Sequence, residues 1–528
     1  MNTTTRAWIG VLFAVAISLA ATWHVPEDVL TIQAALDSLE TGDSILVDAG
    51  LYIEALQAPN NLSFVMIGLI DTSKEHDDWA IVDPSWLDSS DRKACLRLPS
   101  QTSAVIRNIW FRNSWPMYPR WNHAVGGIDN SAAGLTFHNC RFDSTYRSIS
   151  SNTSGMLTVE DCEFRNSIGS AAIMKDNTSG VTVRSCDFAA SPFMCMFLGG
   201  NALVENCALS STTTEWFNLD GPNNTVRGCT FTGSASLTHA VIFTGGASDL
   251  VVENNTFQNI QLTTDGHTIW LGTATDGTIE ICGNQFVQIV GGSDARDGIG
   301  IDQGSNAQYL ICDNLFADCV GGRARGIYIY QDDAMIVNNT FIGSSNSSPY
   351  VWARRTLNDT IRINNQSFAG TGWALAVDGP NFVNAENNWW GDSTGPYHAT
   401  LNPNGLGATI TGAADFDPWM VVWSDSDSTD ISPDKPVWLP SATTLSAFPN
   451  PFNATATLKL IVNEPGIFRI DLFNLLGQHV QEIWSGAVAY EKQIAFDGRA
   501  LSSGLYFVRV FQPIENRVAV LQKLVIVR

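Results

Sequence analysis

The chain has 528 residues, 45% of them hydrophobic and only 15% charged, with 43 glycines, 10 cysteines and a formal net charge of -23. That length allows two or three domains with a large buried interior. An acidic surface disfavours phosphate backbones and excludes nucleic acid as the expected partner.

Residues 1–21 carry one arginine, Arg6, and then an apolar run from Ala7 to Ala21 that is too short to span a bilayer and ends in small residues. A secretory signal peptide cut between Ala20 and Thr22 is expected. No later segment is apolar enough to cross a membrane, and no cysteine follows the run to accept a lipid. Residues 22–56 then open with Ile32, Ala35, Leu36 and Leu39 on one face of a short helix, and Thr31 stands at its N-cap. Gly42 and Asp43 turn the chain into a strand around Ile45 and Val47. A helix placed there covers the open apolar end of whatever stacks behind it.

Residues 57–136 are less regular. IRNIWF, ending at Phe111, reads as strand, while 71–93 and the run SWPMYPRW (114–121) read as loops. Loops on a rigid scaffold collect binding residues, so Trp115, Tyr118, Arg120 and Trp121 are candidates, with packing on a neighbouring coil as the competing reading.

From Phe137 to Trp390 one phrase returns: FHNCRF, VEDCEF, VRSCDF, VENCAL, VRGCTF, VENNTF, ICGNQF, ICDNLF, IVNNTF, INNQSF and AENNWW. Their last residues, from Phe142 through Phe164 and Phe188 to Trp390, fall 21 to 30 residues apart, the range of one stacked supersecondary unit. An apolar residue and a Phe flank a Cys or Asn, as suits a strand entering and leaving a tight corner, and Asn tolerates the backbone such a corner needs. A second short strand precedes most phrases, as in SAAIM, AVIF, TIWL, GIGI and GIYI. The expected fold class is all-β, a parallel β-helix over residues 57–422.

Cys140, Cys162, Cys186, Cys207 and Cys229 hold the repeat position that Asn255, Asn284, Asn314, Asn339 and Asn388 hold later. They read as a stacked column of small buried thiols. A disulfide staple or a metal site is the competing reading, although like-pointing side chains on adjacent parallel strands rarely offer disulfide geometry.

Residues 423–444 turn to Ser, Asp and Pro (WSDSDSTDISPDKP), a linker signature. Residues 445–528 alternate apolar and polar over TLKLIV, FRIDLF, LYFVRVF and KLVIVR, which suggests a small antiparallel β-sandwich.

The capping segment at 22–56 and the repeated Asn-Asn-x-Phe corner resemble secreted right-handed parallel β-helix proteins of the pectin-lyase-like superfamily. NNWWGDSTGP (387–396) followed by DFDPW (415–419) is similar to the way such helices finish in bacterial surface proteins. The likeness spans residues 23 to 420 and implies a fold; the superfamily holds lyases, hydrolases, isomerases, adhesins and spacers. FPNPFN, FNLLGQHV, LSSGLYFVRV and the closing KLVIVR resemble the C-terminal sorting domain of the type IX secretion system. That resemblance implies export by the type IX machinery to the extracellular space or outer cell surface.

In a β-helix, outward positions stack into long stripes. With the apolar residues of the strand before each corner set inward (Ile149, Ile173, Leu198, Leu219, Phe243, Leu271, Ile301, Ile329), the outward positions are Asn218, Ile242, Trp270, Gly300, Tyr328 and Trp352. Beside them run Asp220, Thr244, Gly272, Asp302, Tyr330 and Arg354, with His239, His267, Asp297 and Arg325 at the strand entrances. Trp and Tyr suit the C–H faces of pyranose rings, and Asp, Asn and Arg suit their hydroxyls. The expected ligand is a polysaccharide or cell-surface glycan, bound by Asn218, Asp220, Trp270, Tyr328, Tyr330, Trp352 and Arg354. A purely structural aromatic stripe competes, because aromatics raise β propensity.

Cleavage would need two carboxylates about 5 to 9 Å apart, for which Asp297, Asp302, Asp332 and Asp333 are candidates, with Arg325 and His267 as further catalytic groups. QDD (331–333) resembles one element of polygalacturonase sites, but the Asn-Thr-Asp, Gly-His-Gly and Arg-x-Lys elements of those sites have no match. A lyase would want calcium, for which Asp294, Asp297 and Asp302 are the candidate ligands, and an arginine base from Arg323, Arg325, Arg354 or Arg355. Two readings follow: a secreted β-helix that binds, and in one version cleaves, a polysaccharide, or a non-enzymatic adhesin or spacer.

Overall fold

Each corner phrase folds the same way because its third residue takes a left-handed backbone. Asn139 (φ 49°), Asn254 (φ 55°), Asn338 (φ 57°) and Asn387 (φ 57°) are there, with Asp161, Ser185 and Asp313 as substitutes. Asn and Asp visit this region at the lowest cost after glycine. Gly228 (φ +62°) and Gly283 (φ +69°) fill two such corners, and a Cβ at Gly228 would come 2.4 Å from Asn206 Oδ1. One left-handed residue bends the chain from a strand of one sheet into a strand of the next.

In the computed structural model, residues 20–423 and 443–526 are described except for short internal stretches, among them 71–78, 88–93, 115–127, 238–239, 293–294, 302–306, 331–333 and 355–360. Among the described residues the corners generate three long parallel sheets of 16, 15 and 14 strands. A coil gives one strand to each in turn, as Gly134–His138, Arg141–Asp143 and Ile149–Ser151 do. The expected parallel β-helix is therefore the observed fold.

Two internal files hold the coils together. Phe142, Phe164, Phe188, Leu209, Phe231, Phe257, Phe286, Phe316, Phe341 and Phe368 are register partners in successive coils. Their rings stack nearly parallel, 4.5 Å apart between Phe164 and Phe188 and 5.0 Å between Phe257 and Phe286. Leu209 interrupts the stack, and the buried indole of Trp216 covers Phe231 at 5.5 Å. Trp390 ends it, 4.8 Å from Phe368, which explains the aromatic pair in NNWW.

The second file is the fourth position of each phrase. Asn255 Nδ2 donates to Asn284 Oδ1 (3.0 Å), Asn284 Nδ2 to Asn314 Oδ1 (3.0 Å) and Asn314 Nδ2 to Asn339 Oδ1 (2.9 Å). Gln366 takes the next rung, receiving the backbone N–H of Asn339 (2.9 Å) and donating its own N–H to Asn388 Oδ1 (2.7 Å). In the earlier coils thiols stand on the same rungs, and the N–H of Cys140 reaches Cys162 Sγ at 3.4 Å. These five cysteines are buried free thiols, as expected.

Cys282 and Cys312 are different. They are register partners on the outer side of the 16-stranded sheet and form a disulfide, with Cα atoms 4.5 Å apart. Small buried thiols thus describe the corner column but not this pair. Directly opposed residues of neighbouring parallel strands lie within the span a disulfide bridges.

At the N-terminal end the helix Ile32–Asp37 buries Ile32, Ala35 and Leu36 over the first coil, and Thr31 Oγ1 caps it by accepting the N–H of Ala34 at 3.1 Å. Residues 445–526 form an antiparallel pair of sheets, three strands (Thr444–Phe448, Thr455–Ile461, Glu491–Asp497) and four (Gly466–Asn474, His479–Val488, Gly504–Gln512, Arg517–Ile526). Their inner faces bury Leu458, Leu460 and Phe496 together with Ile470, Leu472, Val508 and Val510. The linker expected at 423–444 and the signal at 1–21 fall largely outside the described residues. Among the described residues no helix is long and apolar enough to cross a membrane.

Candidate functional site

The 15-stranded sheet positions the site. Its strands are short and in register, so one outward position per coil makes an unbroken column: Met174, Phe197, Asn218, Phe243, Trp270, Gly300, Tyr328, Trp352 and Ala376. The interior column beside it is Ile173, Met196, Phe217, Ile242, Ile269, Ile299, Ile327, Val351 and Leu375. Asn218, Trp270, Gly300, Tyr328 and Trp352 thus stand in the column expected from sequence.

One coil was misassigned. Ile242 is fully buried and pairs with Phe217 and Ile269, so it points into the core, and the register position between Asn218 and Trp270 belongs to Phe243. Thr244, expected outside, is fully buried beside Leu271. Setting the bulkiest apolar residue inward fails where Ile242 and Thr244 take the inward places, and a slip of one residue exchanges the two faces.

The best-defined part of the site lies on the strands Ile327–Ile329 and Val351–Arg354 and on Trp373–Asp378 behind them. Trp352 Nε1 donates to Asp378 Oδ2 at 2.9 Å, and the ring meets Tyr328 edge to face at 5.8 Å between centroids. Arg354 lies over the Tyr330 ring at 5.3 Å, reaches Tyr328 Oη with Nη1 at 3.4 Å, and has Asp378 at 3.7 Å from Nε. Tyr328 is only 2% exposed, so it supports this surface from beneath and Trp352 forms its top. Asp220 lies further along the same face, where its Oδ1 accepts the N–H of Gly245 at 3.2 Å.

The candidate catalytic groups separate. Arg325 is fully buried: Nε donates to the Ser348 carbonyl (2.9 Å), Nη2 to the Trp373 carbonyl (3.2 Å), and the guanidinium lies 3.7 Å from the centre of the Tyr350 ring. This is a packing role inside the coil and does not put a base on the outer face. His267 is buried and stacked on Trp270 at 4.9 Å, so it props that indole. Asp297 lies on the strand Arg296–Ile301, whose register with the preceding strand shifts between His267 and Ile269. Its side chain, together with Asp294, Asp302, Asp332, Asp333, Arg355 and His239, falls outside the described residues, as do Trp115, Tyr118, Arg120 and Trp121. Among the described residues no group of three or more His, Cys, Asp or Glu is placed to hold a metal ion.

Sequence reading passed over Asp378 and Glu280. Asp378 is two coils beyond QDD and becomes visible only once its register with Arg354 is known. Half-buried Glu280, on the 16-stranded sheet, is pushed up to about 7 by burial, with Glu253 adding to the effect. It lies on a different sheet from the aromatic column.

The model of the right handed beta helix region matches residues 123–286, and that of the secretion system C-terminal sorting domain matches residues 446–527. No curated protein matches the chain. Among solved structures, the A-module of an Azotobacter vinelandii mannuronan C-5 epimerase is 12% identical over 73% of this chain and 94% of its own, with a TM-score of 0.29. XylC in complex with xylose is 8% identical over 90% of this chain and 100% of its own (TM-score 0.23). A family 28 exopolygalacturonase of Yersinia enterocolitica is 12% identical over 76% and 77% (TM-score 0.21). With three parallel sheets wound by residues that include the first matched region, and an antiparallel domain over the second, the chain is a right-handed parallel β-helix protein carrying a type IX secretion sorting domain, exported to the cell surface or beyond.

Proposed function

We propose that the exported β-helix binds a polysaccharide along the outward column of its 15-stranded sheet. The observation that carries this reading is the register that lines up Phe197, Trp270, Tyr328 and Trp352 on one face. Coils repeat at about 4.8 Å, so Trp270 and Trp352, three coils apart, are separated by about 14 Å. That span suits several sugars of an extended chain, with stacking from the indoles and hydroxyl partners in Asp220, Asn218, Arg354 and Tyr330. Cleavage would rest on Asp297, Asp302, Asp332 and Asp333, and the proposal is confined to binding.

The test is binding of the full chain to a polysaccharide panel. Trp352→Ala and Trp270→Ala should each weaken binding about tenfold, roughly 1.4 kcal/mol, the worth of one stacked ring. Trp86→Ala, at an indole that is 77% exposed away from the column, should leave binding unchanged. If neither column variant differs from the parent protein, the stiff-spacer reading takes its place, which the uninterrupted stacking of coils also favours.

A further inference from the structure

We infer that the ligand of the column is an uncharged polysaccharide and that polyuronates are excluded; this rests on the glycan-binding reading above. The column and the positions beside it recognise by ring faces, which need no ligand charge. From Phe197 to Ala376 the described charged groups in and beside the column on its strands are Asp220, Arg354 and Asp378, and Arg354 is matched by Asp378 at 3.7 Å; Arg97 holds the same register position nearer the N-terminal end.

Nearby positive charge is spent elsewhere. Lys175 is fully buried, in register with Leu198 in the interior, and Arg325 gives its guanidinium to backbone carbonyls. Arginines of the neighbouring sheets sit between carboxylates, as Arg165 does between Glu163 and Asp187, and Arg227 beside Glu205.

The wider field points the same way. The chain carries -23 in all, and residues 445–528 hold eight Lys and Arg against six Asp and Glu, so the first 444 residues carry -25. A polymer with a carboxylate on every sugar would approach that body against repulsion reaching about 8 Å at physiological ionic strength. Between Phe197 and Ala376 it would find Arg354, already matched by Asp378, as the described cation on the column's strands. An uncharged polymer meets neither obstacle, and like-charge exclusion is a common source of specificity.

The experiment measures binding of the full chain to uncharged polymers (xylan, mannan, β-glucan, starch) beside polygalacturonate and alginate. Each is tested at low and high salt, with calcium and with a chelator. At low salt at least one uncharged polymer should bind about tenfold or more tightly than either polyuronate, and the gap should narrow as salt screens the repulsion. Asp378→Asn, which leaves Arg354 unmatched, should raise polyuronate binding severalfold relative to uncharged binding of the same variant. Polyuronate binding equal to or tighter than uncharged binding, with or without calcium, would overturn this inference while the glycan-binding reading stood. Binding of neither class would overturn that reading and this inference with it.

Discussion

Asn284→Ala should cost the β-helix about 4–6 kcal/mol of unfolding free energy, more than any surface change in the chain. Asn284 Nδ2 donates to the carbonyls of Val252 (2.8 Å) and Cys282 (3.2 Å) and to Asn314 Oδ1. Its Oδ1 accepts the backbone N–H of Asn255 (3.0 Å) and Asn255 Nδ2 (3.0 Å). All of this takes place in a fully buried corner, so truncation takes a partner from the Val252 carbonyl and from two N–H donors of Asn255 where water does not reach, while the Cys282 carbonyl keeps the N–H of Asn254. Each orphaned group costs about 1–3 kcal/mol, and the sum falls short of simple addition because the coil relaxes. The same change in the thiol half, Cys186→Ala, removes only weak sulfur hydrogen bonds and should cost under about 2 kcal/mol. Urea unfolding followed by tryptophan fluorescence would compare them. Equal losses would mean that the amide ladder is no stronger than the thiol column.

Phe257→Ala should cost about 3–5 kcal/mol, the range for emptying a buried aromatic site. Phe257 is fully buried between Phe231 at 4.7 Å and Phe286 at 5.0 Å, both stacked within 10° of parallel. The strands above and below are pinned by their own hydrogen bonds, so the cavity cannot close by collapse. Phe257→Leu should recover about half of the loss, because Leu209 already holds a rung of this file. A loss below about 1 kcal/mol for the alanine variant would show that the coils do not depend on the file.

Much of the fold was legible because the repeat states its own geometry. The Asn, Asp, Ser or Gly at each corner marks a left-handed residue, the Phe three places on marks the internal file, and the spacing of Ile32, Ala35 and Leu36 marks the cap. These are local requirements, written where they act. The site was less legible because it depends on register between residues 24 to 30 apart. Gln366 joins the amide ladder without resembling its neighbours by name, since its longer amide still reaches the Ile336 carbonyl at 2.8 Å. Ile242 lies inside, against expectation, because hydrophobicity alone does not say which of two adjacent apolar residues is buried. Arg325 reads as a surface base by type, yet the Ser348 and Trp373 carbonyls and the Tyr350 ring hold its guanidinium inside the coil. The Cys282–Cys312 bridge follows from two cysteines 30 residues apart falling opposite each other, which only the coil length decides.

Hydroxyl-radical footprinting of the full chain, with and without the tightest-binding polymer, tests the central claim most directly. The account predicts that Trp270 and Trp352 lose reactivity together when polymer is added, while the 77%-exposed indole of Trp86 is unchanged. Polymer that binds while leaving both column tryptophans as reactive as in the free protein would contradict it.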